Sequence, residues 1–276
     1  MERIARMNKK YNNFSTGYGN YLRKQRTKKF LITLIQISIL IFVITLWELL
    51  AQLGIIDTFI MSSPVRIFKE LLRLLNNNFM YHIGVTFLEA LISFLIATIA
   101  GTIIAIILWW SEFLRKILDP YIVVLNSLPK IALGPIIIIW FGIGTTPIIV
   151  MAILIMIVIT IISMLNSFTS CDENKVLLLK SMGANKLQIL IKLILPNSLL
   201  EFISVLKINV GLTWVGTIMG EYLVSRAGLG HLIVYGGQVF NLDLVMTSTV
   251  TLCVLASLMY FLVLLLEKLI IKHREN

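Results

Sequence analysis

The sequence predicts an all-α polytopic membrane protein with six transmembrane helices, and composition, span length and charge sorting each point to it. Of 276 residues, 58% are hydrophobic and 14% charged, too little polar surface for a fold solvated on all sides by water. Apolar stretches near 31–53, 84–110, 121–142, 147–165, 200–223 and 245–266 each approach the roughly 20 residues of helix that cross about 30 Å of hydrocarbon. The basic residues alternate between faces. With the N-terminus inside, eighteen Lys and Arg fall in 1–29, 111–120, 166–199 and after 266, against four outside (Arg66, Lys69, Arg73, Arg226), with Lys130 and Lys207 within spans. Positive charge accumulates on the cytoplasmic side, so both termini and the loop 170–196 are expected there. The net charge of +10 is thus mostly topology. Dispersed over four segments, it forms no basic face for nucleic acid.

In chain order, residues 1–29 are expected to form a flexible cytoplasmic basic tail, with Arg23–Lys29 (RKQRTKK) against anionic headgroups. The apolar run that follows is too long for a cleaved signal peptide and lacks a small-residue cleavage site. It reads as a permanent first span. A second segment, 30–83, holds that span and an external amphipathic helix. Ser63-Pro64 supplies its cap and first residue, and Val65, Ile67, Phe68, Leu71, Leu72 and Leu75 share one side of it. Asn76–Asn78 form a turn. The remaining core, 84–267, precedes a short tail, 268–276. Its first span carries Glu89 near the outer end and closes on Trp109-Trp110, an interfacial pair.

The third span contains Pro129 and Pro135, which lack helix donors, with Gly134 and Gly142 between and after them. It is expected to be kinked, with a re-entrant or broken helix as the alternative. The loop from Ser170 to Pro196 is expected to fold as two short helices. Ser170 and Glu173 can cap the first, Gly183 stops it, Asn185 and Gln188 open the second, and Pro196 ends it. The apolar row Leu187, Leu190, Ile191 and Ile194 needs a cover. That cover is either the ends of the protein's own spans or a second protein. In the fifth span, Lys207, Asn209, Thr213, Trp214 and Glu221 face the bundle interior or water. Alternatively, Lys207 snorkels toward the cytoplasm and Glu221 is solvated at the outer interface. Gly228 and Gly230 mark an external turn, and the last span reads as packing.

Enzyme chemistry is disfavoured. There is no GxxxxGK[ST], no HExxH and no GxSxG; His82, His231 and His273 lie in different segments, and Cys171 and Cys253 are expected to be free thiols. No metal site or bound cofactor is expected.

Three stretches resemble one family, the permease subunits of ABC importers. In its cytoplasmic loop the family carries Glu-Ala-Ala, three residues, Gly, nine residues, Ile, one residue and Leu-Pro. Here Gly183, Leu195 and Pro196 fall on that spacing, Leu193 takes the Ile place, and Leu177-Leu178-Leu179 stand where Glu-Ala-Ala would be. The run Asn126–Gly144, NSLPKIALGPIIIIWFGIG, is similar to the proline-containing helix of permeases for nitrate, taurine and alkanesulfonates. Leu206-Lys207, Trp214, Glu221 and Gly228-Leu229-Gly230 match the family's fifth span, and Val205 stands at its first Gly. Thr86 fits the second span, where Glu89 replaces the usual Arg.

The resemblance implies a type I ABC importer permease fold for this polytopic chain, as a homodimer with ABC ATPase subunits below and an extracytoplasmic solute-binding protein above. ATP and Mg would be held by the partner ATPase. It implies ATPase coupling through Leu177, Leu178, Leu179, Lys180, Gly183, Ala184, Leu195 and Pro196. It also implies a pathway or gate at Asn126, Pro129, Pro135, Lys207, Asn209, Trp214 and Glu221, with Gly228 and Gly230 in the external turn. The solute would be small, of the nitrate, sulfonate or taurine kind or a vitamin precursor. An ion-coupled secondary transporter or channel is the alternative, but it would need a midplane ion site and a repeat between halves that the sequence does not display.

Overall fold

The computed structural model describes residues 16–275; residues 1–15 of the basic tail lie outside the described residues. Two compact units form, 1–66 and 67–276. The first is built on α1 (Thr16–Gln52), 37 residues long and so about 55 Å at 1.5 Å per residue. The helix begins inside the expected tail and runs unbroken into the first span. Every side chain from Phe30 to Leu46 is exposed, as suits a lipid-facing helix with apolar residues on all sides. Asp57 caps the single turn Thr58–Met61 by accepting from the Phe59 N–H at 2.8 Å.

Helix α2 (Pro64–Leu75) begins at the expected proline, with Ser63 Oγ accepting from the Arg66 N–H at 3.4 Å. In the second unit α3 (Phe79–Trp110) follows the three-residue asparagine turn. Ser111 caps α4 (Glu112–Ser127) by accepting from Leu114 N–H at 3.2 Å. A short 3-10 turn, Lys130–Leu133, then leads into α5 (Gly134–Phe141). The expected third span is therefore two pieces bent by 86°. Leu128 explains the break: it precedes Pro129, whose ring disfavours helical backbone in its neighbour, and it is extended (φ −65°, ψ 135°). Pro135 sits at the start of α5, where a missing N–H costs nothing.

Helix α6 (Thr145–Thr169) is the most buried span; α3 and α9 (Leu199–Val224) pack along it. Small residues allow that approach. A Cβ on Gly216 would lie 2.6 Å from the Ala152 Cα, and one on Gly101 would lie 2.7 Å from the Thr160 Cβ. A polar clasp crosses the same three helices. The fully buried Asn209 donates to Thr98 Oγ1 at 3.0 Å and to Thr160 Oγ1 at 2.9 Å. Beyond α10 (Leu229–Gln238), α11 (Leu242–Glu275) completes the unit. Among the described residues, five helices are long and apolar enough to cross a membrane, and the bent pair can supply a sixth span.

Candidate functional site

Between α6 and α9 lies the segment singled out in the sequence. Its first helix, α7 (Glu173–Ser181), is capped by Asp172, whose Oδ1 accepts from the Asn174 N–H at 2.9 Å. The expected Ser170 cap does not form, because Ser170 still belongs to the end of α6 and its hydroxyl donates to the Asn166 carbonyl at 2.7 Å. Gly183 stops α7 in left-handed backbone (φ 84°), and the Ala184 N–H returns to the Leu179 carbonyl at 3.0 Å. The reciprocal cap between Asn185 and Gln188 then opens α8 (Lys186–Ile189), both bonds at 2.8 Å.

Pro196 does not end this second helix, contrary to expectation. The chain widens into a π turn at Leu190–Ile194, continues helically through Leu195–Asn197, and passes by Ser198 into α9. A proline has no N–H and crowds the carbonyl four residues back, and a wider turn accommodates both.

The ends of the protein's own spans cover part of the apolar row. Ile189, Leu190 and Ile194 are buried with Leu108, Phe168 and Cys171 against the ends of the spans. Leu187 and Ile191 point outward, as do Leu177 (66% exposed), Leu178 (61%) and Met182 (74%) around Gly183. Lys186 fastens the loop to α3. Its ammonium donates to the Trp110 carbonyl and lies 5.8 and 5.6 Å from the ring centres of Trp109 and Trp110.

At the opposite end of α9, the turn into α10 is held by side chains from two spans. Leu229 N–H donates to Thr86 Oγ1 at 2.7 Å, Gly228 N–H to His82 Nδ1 at 3.0 Å, and Gly230 N–H to Glu221 Oε2. Glu221 is 2% exposed, so the interface-solvated alternative is overturned. Glycine is required here because a Cβ on Gly228 (φ 110°) would lie 2.3 Å from Glu221 Oε1. The buried carboxyl of Glu89 lies beside that of Glu221. His231 stacks on His82 with centroids 6.3 Å apart.

Residues 97–275 match the family model of the binding-protein-dependent transport system inner membrane component. The chain belongs to this family. It is a membrane permease subunit of the ABC importer class, and its relatives are described as transport permease proteins. The permease is 28% identical over 217 residues to a probable ABC transporter permease protein of Haemophilus influenzae, covering 78% of this chain and 88% of that one. It is 26% identical over 231 residues to the taurine transport system permease protein of Escherichia coli (82% and 84%). With the formylaminopyrimidine transport permease protein of Halalkalibacterium halodurans it shares 26% identity over 186 residues (67% and 74%). In fold the permease resembles a chain of the MetNI methionine ABC transporter in an inward-facing conformation. The TM-score is 0.58 at 20% identity, over 67% of this chain and 92% of that one.

The expected site residues of the permease fall into separate places. Leu177, Leu178, Lys180 and Gly183 share one exposed elbow and Leu179 and Ala184 turn partly into the core beneath it, whereas Leu195 and Pro196 lie on the far side of the π turn. Asn126, Pro129 and Pro135 flank the sharp bend, where the Lys130 ammonium donates to the Asn126 carbonyl at 3.1 Å. Trp214 is buried among Ala90, Phe94, Val210, Met259 and Val263. Lys207 reaches α11 and pairs with Glu267 at 2.7 Å, both side chains one-quarter exposed. The sequence reading missed Thr98, Thr160, His82 and Glu267 as partners. Thr98 and Thr160 were recognisable as polar residues in apolar spans; nothing local announced the others.

Proposed function

We propose that the permease forms the pathway for a small solute delivered by an extracytoplasmic binding protein, and that separate ATPase subunits drive it through the 170–196 segment. The observation that carries this reading is the row of exposed leucines and Met182 set around a left-handed Gly183. An apolar patch on a built elbow outside the spans calls for a protein cover. In this reading both termini and the elbow are cytoplasmic, and ATP and Mg reside in the ATPase. A second copy covers the exposed face of α4 and α5, where Ile139 is 80% and Trp140 74% exposed. Hydrolysis biases the membrane equilibrium only through contacts that differ between ATPase states. Those contacts form at the elbow, Leu177, Leu178, Leu179, Lys180, Gly183 and Ala184, and at Leu195 and Pro196 beyond the π turn. Asn126, Pro129, Pro135, Lys207, Asn209, Trp214 and Glu221 line or gate the pathway, and the turn at Gly228 and Gly230 closes its outer end.

The relatives' names support a solute of the taurine or sulfonate kind or a vitamin precursor; the nitrate kind rests on the resemblance of the run Asn126–Gly144 alone. Screening the cognate binding protein for thermal stabilisation by such a panel identifies the solute. The test of the whole reading is uptake into proteoliposomes after co-purification. Transport should require a stoichiometric ATPase and ATP; uptake by the permease alone, or labelling of the elbow from outside intact cells, overturns the reading.

A further inference from the structure

A cavity of about 670 Å³ opens between the elbow and the ends of the spans. Its buried lining includes Phe168 and Ile194, each 1% exposed. Its other lining residues include Trp109, Arg115, Lys180 and Lys186. Glu112 and Glu173 also border it, so the lining carries three cations against two carboxylates; Glu112, which Arg115 and Lys186 also attract, is bridged at 2.9 Å to Lys116 outside the lining, and a cationic excess is left. Adjacent tryptophans ending an apolar span mark headgroup depth. Lys186 spends one ammonium proton on the Trp110 carbonyl and retains two for a ligand, while a guanidinium such as that of Arg115 suits a phosphate in bidentate fashion. An apolar lining beneath cations, at that depth, matches an amphiphile.

We propose that this cavity binds the headgroup of an anionic phospholipid, its phosphate between Arg115, Lys180 and Lys186 and its glycerol and first methylenes against the half-buried Trp109 and Val176. Free inorganic phosphate shares the charge but gains nothing from the apolar lining. Basic pockets between spans on the cytoplasmic side are where such headgroups dock. Because Lys180 belongs also to the proposed coupling elbow, the test varies Arg115 and Lys186 alone and uses the permease without any ATPase.

Cys171 borders the cavity and is buried, whereas the only other cysteine, Cys253, is exposed. In a Cys253→Ser background, maleimide labelling of Cys171 reports occupancy. Labelling should be slower in nanodiscs of an equal phosphatidylcholine and phosphatidylglycerol mixture than in phosphatidylcholine alone. Native mass spectrometry should show phosphatidylglycerol retained, with retention falling about fivefold for each cation removed in Arg115→Gln and Lys186→Gln. Equal labelling in the two nanodiscs, or undiminished retention in the double variant, overturns the proposal. So does protection by inorganic phosphate as strong as that by the lipid. Should the double variant fail to assemble, the two-nanodisc comparison decides alone.

Discussion

Replacing Gly183 with Asp separates a docking contact from a folding requirement. The left-handed backbone there (φ 84°) costs an L-residue about 1–2 kcal/mol, with Asp among the residues that bear it best. Nothing lies within 4 Å of the position a Cβ would take, so no clash adds to that cost. The variant should therefore insert normally and lose only a few degrees of thermal midpoint, at about 2–4 °C per kcal/mol for a domain of this size. Docking is another matter. A carboxylate placed amid Leu177, Leu178 and Met182 and then covered by a partner costs at least about 2 kcal/mol, roughly thirtyfold in affinity. The assay is ATPase activity of the reconstituted complex stimulated by loaded binding protein, with pull-down of the ATPase alongside. Gly183→Ala is the control, since it carries the backbone cost without the charge. Normal coupling in Gly183→Asp, or an equal loss in both variants, would refute the argument that this glycine faces a partner.

Other perturbations test the membrane interior. Asn209→Leu removes two interhelical hydrogen bonds, each worth about 0.6–1.7 kcal/mol; differential scanning fluorimetry in detergent should show a loss of about 1–3 kcal/mol, and lost transport at full stability would point to the pathway instead. Gly228→Ala drives its Cβ into the Glu221 carboxyl and should destabilise by about 1–3 kcal/mol. Adding Glu221→Ala should recover part of that loss, and strict additivity of the two would count against the close contact. Lys207→Met strands Glu267 and should destabilise by about 1–3 kcal/mol. Lys207→Met with Glu267→Leu should restore stability, as replacement of a partly buried ion pair by apolar groups commonly does; chemical denaturation of the single and double variants measures it.

The amino-acid order by itself determined what depends on neighbours within a few residues. Span positions follow from runs of apolar residues, and the proline start of α2, the left-handed stop at Gly183 and the Asn185–Gln188 cap follow from local dihedrals and hydrogen bonds. The extended backbone before Pro129 was equally local, yet the size of the bend depended on where α5 packs, so a kink and a break looked alike in one dimension. Pro196 misled for a related reason: a proline ends a regular helix, but a π turn stabilised by buried Leu190 and Ile194 carries the chain through it.

Only the tertiary structure decided which polar groups meet. Asn209 finds Thr98 and Thr160 at separations of 111 and 49 residues, Lys207 finds Glu267 60 residues on, and the turn at Gly228 reaches back 146 residues to His82. A helix announces its polar residues but not the angle at which a distant helix will face them. In a low-dielectric bundle the cost of leaving such groups unpaired fixes that angle, and it acts only once the spans are side by side.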